Sequence, residues 1–158
     1  MSKAEYKRWT AASVKEALEV FRVVFVSGVR QCGKTTLAKQ LALPDSELRS
    51  LDNSAMKKVA IEDPSGFVKR KRLGPLIIDE IQKVPLLLPE IKLVVDENKE
   101  KGQYLVTGSA NIKTLPTVTE SLAGRMGTVR LRPLAHGEIA GNSPMFVKRA
   151  LNLKIAVE

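Results

Sequence analysis

Gly28-Val-Arg-Gln-Cys-Gly33-Lys34-Thr35 fits the pattern G-x-x-x-x-G-K-[ST] over its whole length. The spacing has a physical reason. The two glycines let the backbone turn tightly, so several N–H groups converge on one point. Lys34 extends its ammonium toward the same point, and the Thr35 hydroxyl can occupy one coordination position of a magnesium ion. A helix beginning near Lys34 adds the positive end of its dipole. The expected site for the phosphates of a nucleoside triphosphate is therefore Gly28, Val29, Arg30, Gln31, Cys32, Gly33, Lys34, Thr35 and Thr36. No guanine-specifying motif is visible, so ATP with Mg2+ is the expected ligand. Arg30 and Gln31 are exposed variable positions by pattern. Cys32 is read first as a small residue that fits the turn, with redox sensing as the rival.

The flanks supply the context that the motif requires. Residues 22–27 are β-branched and nearly all apolar, as in a buried parallel strand, and 34–43 reads as a helix stopped before Pro44. Outward from there, helix and strand signals alternate. A helix is expected over 12–21, a short strand over 47–51, and helices over 53–62 and 65–71. Strands follow at 76–79, 103–107 and 128–131, with helices over 89–101 and 117–123 and a short one between Pro133 and Gly141. This order predicts an α/β, three-layer sandwich: a mainly parallel five-stranded sheet with helices on both faces. Functional loops then gather at the carboxyl ends of the strands.

Leu76-Ile-Ile-Asp79-Glu80 is a second nucleotide signal. Asp79, carried to the same sheet edge, is expected to hold magnesium with Thr35, and Glu80 to orient or deprotonate a water attacking the γ-phosphate. The rival reading is a capping pair at a strand–helix turn. Ser109 and Asn111 follow another strand, where a polar side chain reaches the γ-phosphate or its attacking water; turn chemistry explains them equally well. Arg125 can fork onto phosphate oxygens or simply face solvent.

Composition bounds the rest. The 158 residues are one domain's worth, 44% hydrophobic and 27% charged, and only 4% aromatic, so the core is expected to be aliphatic. Cys32 and His136 are each alone, which excludes an intrachain disulfide and His-cluster metal sites. No apolar run approaches the roughly 18 residues that span a membrane. The polar start of the chain lacks a signal-peptide apolar region, so a cytoplasmic location is expected. The net charge of +9 favours polyanionic partners, and Lys69-Arg-Lys-Arg72 is a candidate contact with a nucleic-acid backbone; a solvated basic face is the alternative.

Taken together, Gly28 to Leu37, Leu51-Asp52, Ile78 to Gln82, Leu105 to Ser109, Ser121 to Arg125, and Arg132-Pro-Leu followed by Glu138-Ile resemble the AAA-type ATPases of bacteria and archaea that usually carry a C-terminal domain of unknown function. The resemblance implies a five-stranded parallel core with the phosphate-loop strand at its centre. It places Ser109 or Asn111 at the sensor position, and it gives Arg125 a nucleotide-linked role in its own subunit or in a neighbouring one of a homo-oligomer. The core then covers residues 1–141, with an N-terminal helix over 1–21 and the phosphate-binding part over 22–141. Similar proteins continue well beyond this point, and 142–158 is expected to be a short tail, either a remnant of that region, a truncation within it or a divergent end.

Catalytic roles accordingly fall to Lys34, Glu80, Ser109, Asn111 and Arg125, and the expected function is Mg-ATP binding with hydrolysis. Two rivals stand beside it. One is a P-loop kinase for a small metabolite, with Arg125, Arg130 and Arg132 over the phosphates. The other is a non-catalytic nucleotide- or nucleic-acid-binding remnant.

Overall fold

In the computed structural model, which describes residues 6–109 and 122–142, the apolar run ahead of the glycine turn forms strand β1, Val23–Gly28, buried at every position. Side chains alternate across a strand, so this run feeds two cores. Val23 and Phe25 pack on one face with Ile78, Tyr104 and Val106; Val24 and Val26 pack on the other with Ile77, Leu105 and Leu131.

Helices cover both faces. On the Val24 side lie α1 (Thr10–Val20) through Val14 and α2 (Lys34–Leu41) through Leu37, Ala38 and Leu41. On the Phe25 side lie α3 (Ser54–Glu62) through Ala60, α4 (Pro64–Val68) through Phe67, and α5 (Leu87–Glu97) through Leu87, Leu88, Ile91 and Val95. The remaining strands are β2 (Glu47–Ser50), β3 (Leu76–Asp79), β4 (Tyr104–Ser109) and β5 (Met126–Leu131), and α6 (His136–Ile139) follows. All recorded strand pairs are parallel, in the order β2-β3-β4-β1-β5. This is the three-layer α/β sandwich expected from the sequence. Among the described residues, no helix is long and apolar enough to cross a membrane.

Three local expectations are corrected. The phosphate-loop strand is not central: β4 holds the middle, and β1 lies between β4 and β5. Helix α5 begins at Leu87 and stops at Glu97, short of 101. The reason is Asn98, which is extended (φ −107°, ψ 116°) and whose Oδ1 accepts from the Glu100 N–H at 3.0 Å, a local bond that competes with the helix. Strand β5 starts at Met126, ahead of 128. Most of the helix expected over 117–123 lies outside the described residues.

Register fixes the functional edge. Gly28 stands opposite both Ser109 and Leu131, and Ser50 stands opposite Asp79, so all five strand ends lie along one edge of the sheet. A Cβ on Gly28 would come within 2.6 Å of the Cys32 sulfur and 2.7 Å of the Leu131 carbonyl. Only glycine fits there, and buried Cys32 fills the space beside it.

Candidate functional site

The loop leaves β1 at Gly28 and enters α2 through Gly33, whose φ of +95° is left-handed backbone that suits glycine. Gln31 also takes positive φ (64°), and Val29, Arg30, Gln31 and Thr36 are exposed. Lys34 is 5% exposed. Its ammonium donates to the carbonyls of Gly28 at 3.3 Å and Val29 at 3.2 Å, and lies 3.7 Å from Glu80 Oε1.

Asp79 ends β3 and is fully buried. It accepts from three hydroxyls: Thr35 Oγ1 at 2.9 Å, Thr107 Oγ1 at 2.5 Å and Ser50 Oγ at 3.3 Å. No salt bridge to Asp79 is found among the described residues. A buried carboxylate held by hydroxyls, next to a threonine oxygen, is a hard oxygen donor set that fits magnesium. No cluster of three His, Cys, Asp or Glu residues exists among the described residues, so phosphate and water oxygens would complete such a shell.

Glu80 follows in left-handed backbone (φ 61°, ψ 46°), uncommon for a non-glycine residue and costly by about 1–3 kcal/mol. Its N–H donates to Thr107 Oγ1 at 3.1 Å, and Gln82 Nε2 donates to its Oε2. The turn thus points the carboxylate between Lys34 and Gln82. Gln82 Oε1 in turn accepts from the Ser109 N–H at 3.3 Å, which brings the β4 end into the same cluster.

The structure therefore gathers Lys34, Thr35, Asp79, Glu80 and Ser109. Asn111 lies outside the described residues. Arg125 sits elsewhere: its carbonyl accepts from the Val23 N–H at the start of β1, five residues along the strand from Gly28 and the phosphate loop. At about 3.3 Å per residue that is roughly 17 Å, too far for a role at the phosphates of its own chain. Its guanidinium instead forks onto Asp96, at 2.5 and 3.0 Å, and this hydrogen bond holds the Asp96 carboxyl below the usual carboxylate range. Asp52 pairs with Lys83.

Sequence reasoning gave no role to Ser50, Thr107 or Gln82, although the last two stand inside the motif segments. Spacing carries a signal for Gln82, two residues beyond Glu80. Arg8 carried none. It is 8% exposed, and its guanidinium donates to the Cys32 carbonyl at 2.8 Å, the Arg132 carbonyl at 2.5 Å and Glu138 Oε1 at 3.2 Å. Glu138 also accepts from the N–H groups of Trp9 at 2.7 Å and Ala135 at 2.9 Å. Burial pushes the Glu138 carboxyl up; these N–H donors and Arg8 outweigh it and leave it below its ordinary value.

Comparison with solved structures bears on the fold. The Walker-type ATPase of Pyrococcus abyssi superposes with a TM-score of 0.57 at 16% identity, over 98% of this chain and 63% of that one. AMPPCP-bound DnaA from Aquifex aeolicus gives 0.52 at 19%, over 83% and 48%. These likenesses establish the fold. In sequence, the uncharacterized protein Rv2008c of Mycobacterium tuberculosis is 30% identical over 137 residues, covering 87% of this chain. The chain spans 31% of that relative's length. The family model described as an AAA domain matches residues 20–140, and with most of its length so matched, the chain belongs to the AAA domain family.

Proposed function

We propose that the domain binds ATP with magnesium and hydrolyses it. The observation that carries this reading is the meeting of Lys34, Thr35, Asp79 and Glu80 at one sheet edge, each within hydrogen-bond or ion-pair distance of another. Thr35 and Asp79 would hold magnesium, which when bound supplies positive charge against the phosphate oxygens. Gly33, Lys34 and Thr35 offer N–H groups at the start of α2, and the Lys34 ammonium exchanges its loop carbonyls for β- and γ-phosphate oxygens. Glu80 orients a water in line with the γ-phosphate and takes its proton. A glutamate beside the magnesium aspartate serves hydrolysis, which disfavours transfer to a metabolite hydroxyl.

The deciding measurement is steady-state ATP turnover for wild type and Glu80→Gln, with nucleotide affinity alongside. Turnover lost by more than about a hundredfold, with binding retained, is expected. Turnover that survives the substitution removes Glu80 from the proposed role, and a wild type that binds without turnover favours the non-catalytic reading. The nucleotide-linked role of Arg125 is proposed to fall on the site of a neighbouring copy.

A second reading concerns a nucleic-acid partner, and it rests on the opposite end of the sheet. A cavity of about 670 Å³ there has Lys69, Arg70, Arg72 and Lys101 in its walls against the single carboxylate of Glu100. A neighbouring one of about 390 Å³ has Arg22, Lys99 and Arg125 against Asp96. Seven of the chain's 26 lysines and arginines thus line one pole against two carboxylates, the kind of basic surface that backbone-phosphate binding uses. Anisotropy of a labelled single-stranded oligonucleotide should show salt-sensitive binding that Lys69→Glu with Arg72→Glu weakens. Binding indifferent to that double change would remove this surface from the reading.

A further inference from the structure

Arg8 precedes the family match and the phosphate motif by many residues, yet it is built into the loop. Its three acceptors belong to three segments: the Cys32 carbonyl in the phosphate loop, the Arg132 carbonyl just past β5, and Glu138 in α6. Ion pair and carbonyl bonds are nearly closed to water, with Arg8 and Glu138 side chains 6% and 4% exposed. The guanidinium also lies against Gly33, where a Cβ would come within 3.2 Å of Nη1.

A trans peptide sets its carbonyl and the following N–H on opposite sides of one plane. The Cys32 carbonyl, drawn to Arg8, therefore turns the Gly33 N–H the other way. In a loop of this pattern that N–H is one of the phosphate donors. Free of such a hold, the Cys32–Gly33 peptide has neighbours that tolerate rotation, since Gly33 accepts either sign of φ.

We propose that Arg8 is a positioning residue for the phosphate site: it fixes the Cys32–Gly33 peptide so that the Gly33 N–H is aimed at the bound phosphate. The inference rests on the phosphate-binding reading above. It also joins the phosphate loop to α6 through one side chain, since Glu138 orients the same guanidinium. The planar fork donates from three separate nitrogens to the three segments, whereas a lysine gathers its three donors on one nitrogen and cannot span the same acceptors.

The test measures Kd for inorganic pyrophosphate and for Mg-ATP, by calorimetry well below the unfolding temperature of each protein. Wild type, Arg8→Lys and Arg8→Ala are compared. Pyrophosphate has no base or sugar, so it reads the phosphate cradle alone. Both variants should bind pyrophosphate about tenfold more weakly, and millimolar methylguanidinium should recover part of the loss in Arg8→Ala. A general loosening of the fold would not be repaired by that cation. In case Arg8→Ala does not fold, the Gly33 amide resonance in Arg8→Lys gives a second reading, expected to shift relative to wild type. Unchanged pyrophosphate affinity in a folded variant, or an unmoved Gly33 amide, overturns the inference while leaving the phosphate site intact. A wild type that binds neither ligand overturns the phosphate-site reading, and this inference with it.

Discussion

Thr107 Oγ1 donates to Asp79 Oδ1 at 2.5 Å, and both residues are fully buried. The same oxygen accepts from the Glu80 N–H at 3.1 Å. One hydroxyl on β4 thus steadies both the Asp79 carboxylate and the left-handed turn that aims Glu80.

Thr107→Val preserves shape and removes that hydroxyl. It leaves a buried carboxylate short of a donor and a backbone N–H without its acceptor, which should destabilise the domain by about 1–3 kcal/mol. Turnover should fall further than ATP affinity, because Glu80 loses its orientation while Lys34 and the loop keep theirs. Thr107→Ser, which restores the hydroxyl, should recover most of both. Denaturant melts and ATPase kinetics on the three proteins check this; a valine variant equal to wild type in both would show that the hydroxyl is dispensable.

The Arg125 fork onto Asp96 separates two explanations for one arginine. If its work is structural, Asp96→Ala should reproduce the effect of Arg125→Ala, and neither should touch turnover beyond its effect on folding. If the arginine serves a neighbouring copy, Arg125→Ala should cut turnover in a concentration-dependent way while Asp96→Ala does not. The pair also has a spectroscopic mark. The Asp96 carboxyl titrates below its usual value because of the Arg125 hydrogen bond, so Arg125→Ala should move its NMR titration upward. An unmoved titration would mean that the fork does not persist in solution.

The sequence was most informative where local chemistry and position coincide. The run 23–26 is apolar in both parities, so it had to be buried on two faces, and the glycines, Lys34 and Thr35 follow it at the spacing of a phosphate-loop pattern. Asp79 and Glu80 were legible for the same reason, at the end of a second buried run. The order of strands was not legible, because nothing in β1 itself records that β5 rather than another strand covers its outer edge. Arg125 illustrates the limit for sites. A forked cation before a strand reads like a phosphate ligand, and only the parallel register places it at the wrong end of the sheet. Arg8 illustrates the converse: its partners are 24, 124 and 130 residues away, a separation that no local pattern encodes.

Glu138 makes the same clamp measurable through pH. Its folded carboxyl titrates below its ordinary value of 4.5, so the folded domain binds the proton less well than the unfolded chain does. The stabilisation is therefore fully present above the ordinary value and is lost as pH falls through the lowered one. From neutrality down to about pH 5 the carboxylate is ionised in both states and its contribution is flat; below that it declines. Glu138→Gln removes the titration and the charge facing Arg8. Its unfolding temperature should lie below that of wild type by a constant margin from pH 7 to about 5, and the margin should narrow steadily toward pH 3. Thermal melts across that range give the answer. A margin that stayed constant into acid would mean that Glu138 is protonated or unpaired in the folded domain, and that Arg8 reaches the Cys32 carbonyl without its help.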